Sequence, residues 1–354
     1  MAVPARRLRR LLKLIFITQQ VDPADPVLGA TVAKLRALAA QVDELVVLSL
    51  GAVPGALPAN CRVKSFGGGS KATRGLRFVR ALAPELRGAG GVLAHMCPIY
   101  AVLAAPLARP LRVPLLLWFA HWRASPLLRA ATAASTKVLS VDRRSFPLET
   151  SKLVPIGHGI DYAQLECRED PGGKELHAVV LGRTSPAKGI ETILRAVAQV
   201  PETRLDVYGT SGSAEEHAHR AELGRLIGEL GIEGRAAIHD PVPRDEIGAV
   251  HARAHVLVNN MRAGAPDKAV YEACGSCLPV LASNPSFDEL FAGIEPSLRF
   301  ERESVDALAE RLRAFAALQA EERAAIGRTL RERAVSGHSV DSWATGVLAV
   351  ARSR

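Results

Sequence analysis

No apolar run in the 354 residues is long enough to span a bilayer. The nearest candidate, LLKLIFI (11–17), is broken by Lys13, and the TQQVDPADP that follows has no small-residue cleavage pattern. Neither a membrane span nor a secretory leader is therefore expected. Cysteine is scarce: five residues, an odd number at irregular spacing, argue for reduced thiols in a cytoplasmic protein. Cys274 and Cys277 form C-G-S-C with no second Cys or His pair nearby, so they read as structural thiols rather than a redox or metal motif. Aromatic residues amount to only 5%, and no stacking platform or groove-reading motif occurs, which excludes nucleic acid. G-x-G-x-x-G follows no candidate strand, excluding a nicotinamide dehydrogenase, and G-x-x-x-x-G-K-[ST] is missing, excluding a P-loop triphosphatase. There is also no D-x-D cluster to hold a metal ion.

What is present is a two-domain pattern. The length exceeds one ordinary core, and 48% hydrophobic with 23% charged residues describes a globular chain. Apolar runs predict strands at 12–18, 44–50, 91–96, 113–119, 137–141 and 151–156, with helical periodicity between them, as at 29–41 and 74–86. The same grammar restarts at 177–182, 204–209, 236–240, 254–260 and 278–283. Strands buried on both faces and alternating with helices mean parallel sheets. The expected fold class is α/β: two doubly wound Rossmann-like domains facing each other across a cleft, with ligands at the strands' carboxyl ends. The expected division is 1–160, a polar hinge at 161–175, a second domain at 176–335, and a final helix at 336–354 that packs back on the first domain.

Charge is unevenly divided. Residues 1–160 hold 22 Lys and Arg against 7 Asp and Glu, whereas the remainder hold 23 against 29. Arg6, Arg7, Arg9, Arg10 and Lys13 come first. Lys71, Arg74, Arg77 and Arg80 then recur at helical spacing beside Leu76, Val79 and Leu82. A basic helix with an apolar flank fits an anionic membrane surface or a polyanionic glycan.

Two stretches concentrate chemistry. In LGRTSPAKGIETILRAVA (181–198) a strand ends at Gly182, a turn holds Arg183 and Lys188, and a helix begins near Gly189. A helix start already offers unpaired N–H groups and a positive dipole end, so two added cations point to an anionic ligand. In NNMRAGAPDKAVYEACGSCLPVLASN (259–284) a strand ends at Asn259–Asn260. A loop with Gly264 follows, and a helix then carries Asp267, Lys268 and Glu272. His121 follows the strand VPLLLWFA and faces the expected cleft; His95 and His158, also at strand ends, read as core residues.

The first stretch resembles the phosphate-binding segment of the family-4 retaining glycosyltransferases, which have the GT-B fold. YEACGSCLPVLAS (271–283) is similar to their glutamate-bearing donor segment, and PIGHGID (155–161) to the motif before their interdomain linker. The resemblance implies that Arg183 and Lys188 grip the diphosphate of a nucleotide-sugar, that Glu272 accepts hydrogen bonds from the ribose, and that His121 stands beside the donor sugar. It counts Gly29, after the first strand, among the donor-binding residues. One position departs: where the family has a first glutamate, eight residues before Glu272, this chain has Gly264. A subset of the family shares the Gly-x-x-Asp-Lys found here, so Asp267 and Lys268 are expected to contact sugar or phosphate.

The implied activity is transfer of a sugar, with retention, from a nucleotide-diphosphate-sugar to a glycan or lipid-linked acceptor, in cell-surface polysaccharide or glycolipid synthesis. No cofactor or metal is expected beyond the donor substrate. The expected place is the cytoplasm, peripheral to the inner face of the membrane. A nucleotide-sugar 2-epimerase of the same fold and a catalytically silent binding subunit are the alternatives.

Overall fold

The computed structural model of the protein describes residues 12–25 and 28–353, so Arg6, Arg7, Arg9 and Arg10 lie outside the described residues. The chain folds as two compact units, one formed by residues 1–159 with 340–354 and the other by residues 160–339.

Unit 1 contains a seven-stranded parallel sheet. Its strands are β1 (Lys13–Val21), β2 (Glu44–Ala52), β3 (Cys61–Ser65), β4 (Ala89–His95), β5 (Leu115–Trp118), β6 (Lys137–Ser140) and β7 (Leu153–Pro155). Their order is β3-β2-β1-β4-β5-β6-β7, every pair parallel. In the central β1, Leu14, Ile15, Phe16, Ile17 and Thr18 are all buried, as expected for a strand covered on both faces. β3 has no counterpart among the expected strands, because CRVKS at a sheet edge is largely exposed and has no apolar run. The helices are α1 (Ala30–Ala39), α2 (Lys71–Leu82), α3 (Pro98–Ala108) and α4 (Pro126–Ala134). Ser70 caps α2 by accepting from the Thr73 N–H, and Ser125 caps α4 from Leu128, with Pro126 at the first helical position. α2 packs Phe78 and Leu82 into the core, where Phe78, Phe66 and Tyr100 form an aromatic triangle with centroids 4.8–5.3 Å apart. Leu76, expected on that apolar flank, instead stands exposed beside Arg77 and Arg80.

A second core of unit 1 carries polar residues. His95 stacks between Phe16 and Trp118, and burial, helped by the charge of Lys34, holds its imidazole well below its ordinary pKa. Lys34 of α1 is buried with its ammonium 3.9 Å above the Trp118 ring and 4.9 Å from Trp343.

Unit 2 contains β8 (Leu176–Leu181), β9 (Thr203–Tyr208), β10 (Ala236–His239), β11 (Val256–Asn259) and β12 (Val280–Ala282), parallel in the order β10-β9-β8-β11-β12. Its helices are α5 (Ile190–Ala198), α6 (Ala214–Glu229), α7 (Ile247–His251), α8 (Lys268–Gly275), α9 (Asp288–Phe291), α10 (Val305–Ala316) and α11 (Ala320–His338). The last helix, α12 (Val340–Arg352), belongs to unit 1, packs on α1 and buries Trp343 completely. No helix among the described residues is long and apolar enough to cross a membrane.

Residues 161–175, which composition marks as a hinge, run within unit 2 and are fastened to it. Arg323 grips Asp170 with two hydrogen bonds of 2.7 and 2.9 Å. The cysteines correct the expectation. Cys167 and Cys277 form a disulfide, with Cα atoms 4.8 Å apart, so only Cys61, Cys97 and Cys274 are free thiols. The C-G-S-C pair is therefore not a pair of thiols. The partner of Cys277 lies 110 residues away, and the fold rather than the local spacing brings the two together.

Candidate active site

The site grows from two neighbouring strands. β8 and β11 are adjacent and parallel, so the loops after Leu181 and Asn259 leave the same edge of the sheet. After β8, Gly182 adopts φ +130°, and a Cβ there would stand 2.5 Å from the Lys188 Nζ. Only glycine lets that ammonium fold back over the backbone, where it donates to the Leu181 carbonyl at 3.3 Å. Gly189 follows at φ +56° as the residue before α5. Its carbonyl accepts from the Asn260 amide at 3.0 Å, which locks the start of α5 to the end of β11.

From the other loop, Asp267 caps α8 by accepting from the Ala269 N–H. The same carboxylate takes the ammonium of Lys188 and a 2.8 Å hydrogen bond from Asn259. Burial alone would raise the Asp267 pKa. The charge and hydrogen bond of Lys188, with the Asn259 and Ala269 donors, hold it below the usual carboxylate range. One turn on, Glu272 pairs with Lys268 at 3.1 Å. Arg183 is largely exposed and reaches Glu216 at 3.3 Å, while Glu216 is buried and accepts from the Gly212 N–H at 2.7 Å. Gly264 has φ +119°, and its carbonyl accepts from Ser286 at 2.9 Å, so the loop before α8 is pinned to the segment after β12.

Arg183, Lys188, Gly264, Asp267, Lys268 and Glu272 thus all lie in unit 2. Each of the three cations is matched to its own carboxylate. An anionic ligand placed here would meet cations whose positions the carboxylates already fix, together with the N-terminus of α5. Sequence reasoning overlooked Glu216, Asn259 and Asn260. The two asparagines end an apolar strand at a ligand-binding edge, a signal that was present. Nothing in the sequence couples Glu216 to Arg183.

His121 and Gly29 belong to unit 1. His121 lies in the loop after β5, stacked on Trp122 at 5.4 Å, and its Nδ1 accepts from the Arg123 N–H at 3.0 Å. Gly29 precedes α1, and a Cβ there would stand 2.6 Å from the Asp25 carbonyl, so the loop itself requires glycine. Asp240, in the loop after β10, is exposed and pairs with Arg220.

Comparison with known proteins bears on the fold. The fold aligns with the sucrose-phosphate synthase of Thermosynechococcus elongatus at TM-score 0.75 and 17% identity, covering 96% of this chain and 98% of that one. It aligns with Anabaena Alr3699/HepE in complex with UDP-glucose at TM-score 0.74 and 17% identity, over 96% and 98%. WaaG, a glycosyltransferase involved in lipopolysaccharide biosynthesis, aligns at TM-score 0.62 and 15% identity, over 96% and 100%. No curated protein matches the chain in sequence. The protein has the GT-B fold of two Rossmann-like parallel sheets. Residues 168–333, which lie within unit 2, match the family described as glycosyl transferases group 1.

Proposed function

We propose that the protein transfers a glycosyl group from a nucleoside-diphosphate-sugar to a glycan or lipid-linked acceptor, with retention of anomeric configuration and without a metal ion. The observation that carries this reading is the set of ion pairs Arg183–Glu216, Lys188–Asp267 and Lys268–Glu272 around the carboxyl ends of β8 and β11. Alr3699/HepE is in complex with UDP-glucose, and we extend the same donor class to this chain.

The bond from the anomeric carbon to the diphosphate oxygen breaks, and its electron pair leaves with the diphosphate. Lys188 and Arg183, with the α5 N–H groups, stabilise that growing charge. The acceptor hydroxyl attacks from the same face and gives its proton to the departing phosphate oxygen. Asp267 orients the sugar, Glu272 the ribose, and Gly264 lets the backbone approach. The exposed cations of α2 in unit 1 fit an acceptor on an anionic membrane, where the product enters cell-surface polysaccharide or glycolipid.

Calorimetry with UDP-, GDP- and ADP-sugars tests the donor, and the anomeric coupling in the product's NMR spectrum tests retention. Slow donor hydrolysis that disappears in Lys188→Ala is expected. Binding of no nucleotide-sugar would sink the reading.

A further inference from the structure

Residues 160–168 lie as a strap across the carboxyl-terminal end of α8. Tyr162 and Leu165 are buried against Gly275, where a Cβ would approach them to 2.5 and 3.0 Å. The Arg168 N–H donates to the Ser276 carbonyl at 3.1 Å, and Arg331 holds the Leu165 carbonyl at 2.7 Å. The Cys167–Cys277 disulfide closes the strap covalently. Cys167 is an exposed residue while Cys277 is buried in the turn that ends α8, which makes Cys167 the side of the bond that solvent approaches. α8 has eight residues, about 12 Å of helix, and Asp267 caps its other end. The clasp and the ion-paired cluster are thus the two ends of one short element.

We propose that Cys167–Cys277 is a thiol–disulfide exchange site, a clasp on α8 that a dithiol reductant opens and a low-molecular-weight disulfide recloses, and that its state sets the affinity for the donor. The donor half of this inference rests on the function proposed above. In opening, a reductant thiolate attacks the Cys167 sulfur. The S–S bond breaks with its electron pair on Cys277, which takes up a proton. The reductant's second thiol then displaces Cys167, so the protein gains two electrons and two protons while the dithiol becomes a cyclic disulfide. In closing, the Cys167 thiolate attacks the small disulfide and releases one thiol. Cys277 then attacks the Cys167 sulfur and releases the second. Cys274 has C-x-x-C spacing to Cys277, but it is fully buried. Burial pushes its thiol well up, so it stays protonated and does not compete.

The test uses the full chain, treated with oxidised glutathione or with dithiothreitol. Free thiols are counted, cysteine peptides are mapped by mass spectrometry, and melting and UDP binding are measured. Oxidation should lower the count from five thiols to three. It should also join the peptides of Cys167 and Cys277, raise the melting temperature by about 5–10 °C and tighten UDP binding roughly three- to tenfold. Cys167→Ser should behave as the reduced protein under both conditions, and Cys274→Ala should still switch. Five thiols after oxidation, a Cys274–Cys277 linkage, or melting and UDP binding both indifferent to reduction would overturn the clasp. If UDP binds neither form, the donor reading falls, and the peptide map and the melting shift still decide the clasp.

Discussion

Lys188 and Asp267, 79 residues apart in sequence, meet in an ion pair that joins the loop after β8 to the first turn of α8. Both side chains are mostly buried, and removing one partner of such a pair leaves the other charged and without compensation, at a cost of about 3–5 kcal/mol. Lys188→Ala is expected to lose stability near the lower end of that range in urea denaturation. Adding Asp267→Asn should recover part of the loss, while donor binding stays abolished. Equal stability of single and double variants would refute the pairing.

Arg183 makes the opposite prediction. Its side chain is 68% exposed, so Arg183→Ala should leave stability within about 0.5 kcal/mol of wild type. Donor affinity should fall roughly 10–100-fold, the loss expected for one charge-assisted hydrogen bond. Calorimetry against the preferred nucleotide-sugar reads this directly, and unchanged affinity counts against a diphosphate contact.

Gly264 and Asp267 are separable by which quantity moves. At φ +119° an alanine is strained, so Gly264→Ala should cost about 1–3 kcal/mol of stability with a modest effect on turnover. Asp267→Asn should reduce turnover far more. The reverse ranking of kcat would dismiss Asp267 as a sugar contact.

Glu85 in unit 1 faces Lys13, Arg62 and Lys64 within 3 Å, and hydrogen bonding from Arg62, against the cost of burial, holds its pKa down at about 2. Its folded pKa is below the unfolded one. The stabilisation, about 3 kcal/mol, is therefore complete above the unfolded value near 4.5 and is lost as pH falls towards 2. Glu85→Gln should be less stable than wild type at pH 7 and converge with it near pH 2. A constant difference across that window would exclude this origin.

The exposed face of α2 sets Leu76 among Lys71, Arg77 and Arg80. Flotation with vesicles containing anionic lipid should show binding at low salt that weakens at high salt, each near-surface cation contributing about 1 kcal/mol. Changing Lys71, Arg77 and Arg80 to Glu should abolish it. Absence of binding at low salt ends the membrane proposal.

The legible parts of the fold were those that local pattern determines. The runs LIFI (14–17) and HAVVL (177–181) announce buried parallel strands, and the glycines with cations after Leu181 announce the start of α5. What local pattern leaves undetermined is tertiary. β3 is an exposed edge that only pairing with β2 reveals. Lys34 reads as an ordinary surface cation of α1 until two tryptophans, one from β5 and one from α12, are seen to enclose it. The partners of Arg183, Lys188 and Cys277 are equally unreadable, because each is chosen by which loops the sheet order brings together.

The return of α12 to unit 1 has a consequence for biosynthesis. Residues 160–339 are one continuous stretch and can complete their core once they have left the ribosome. Unit 1 cannot, since Trp343 fills its interior and arrives only after all of unit 2 has been made. The half of the protein that is translated first is therefore the half that closes last. Until it does, the place that Trp343 fills beside Lys34 and Trp118 stays open, and the apolar surface around it is left uncovered.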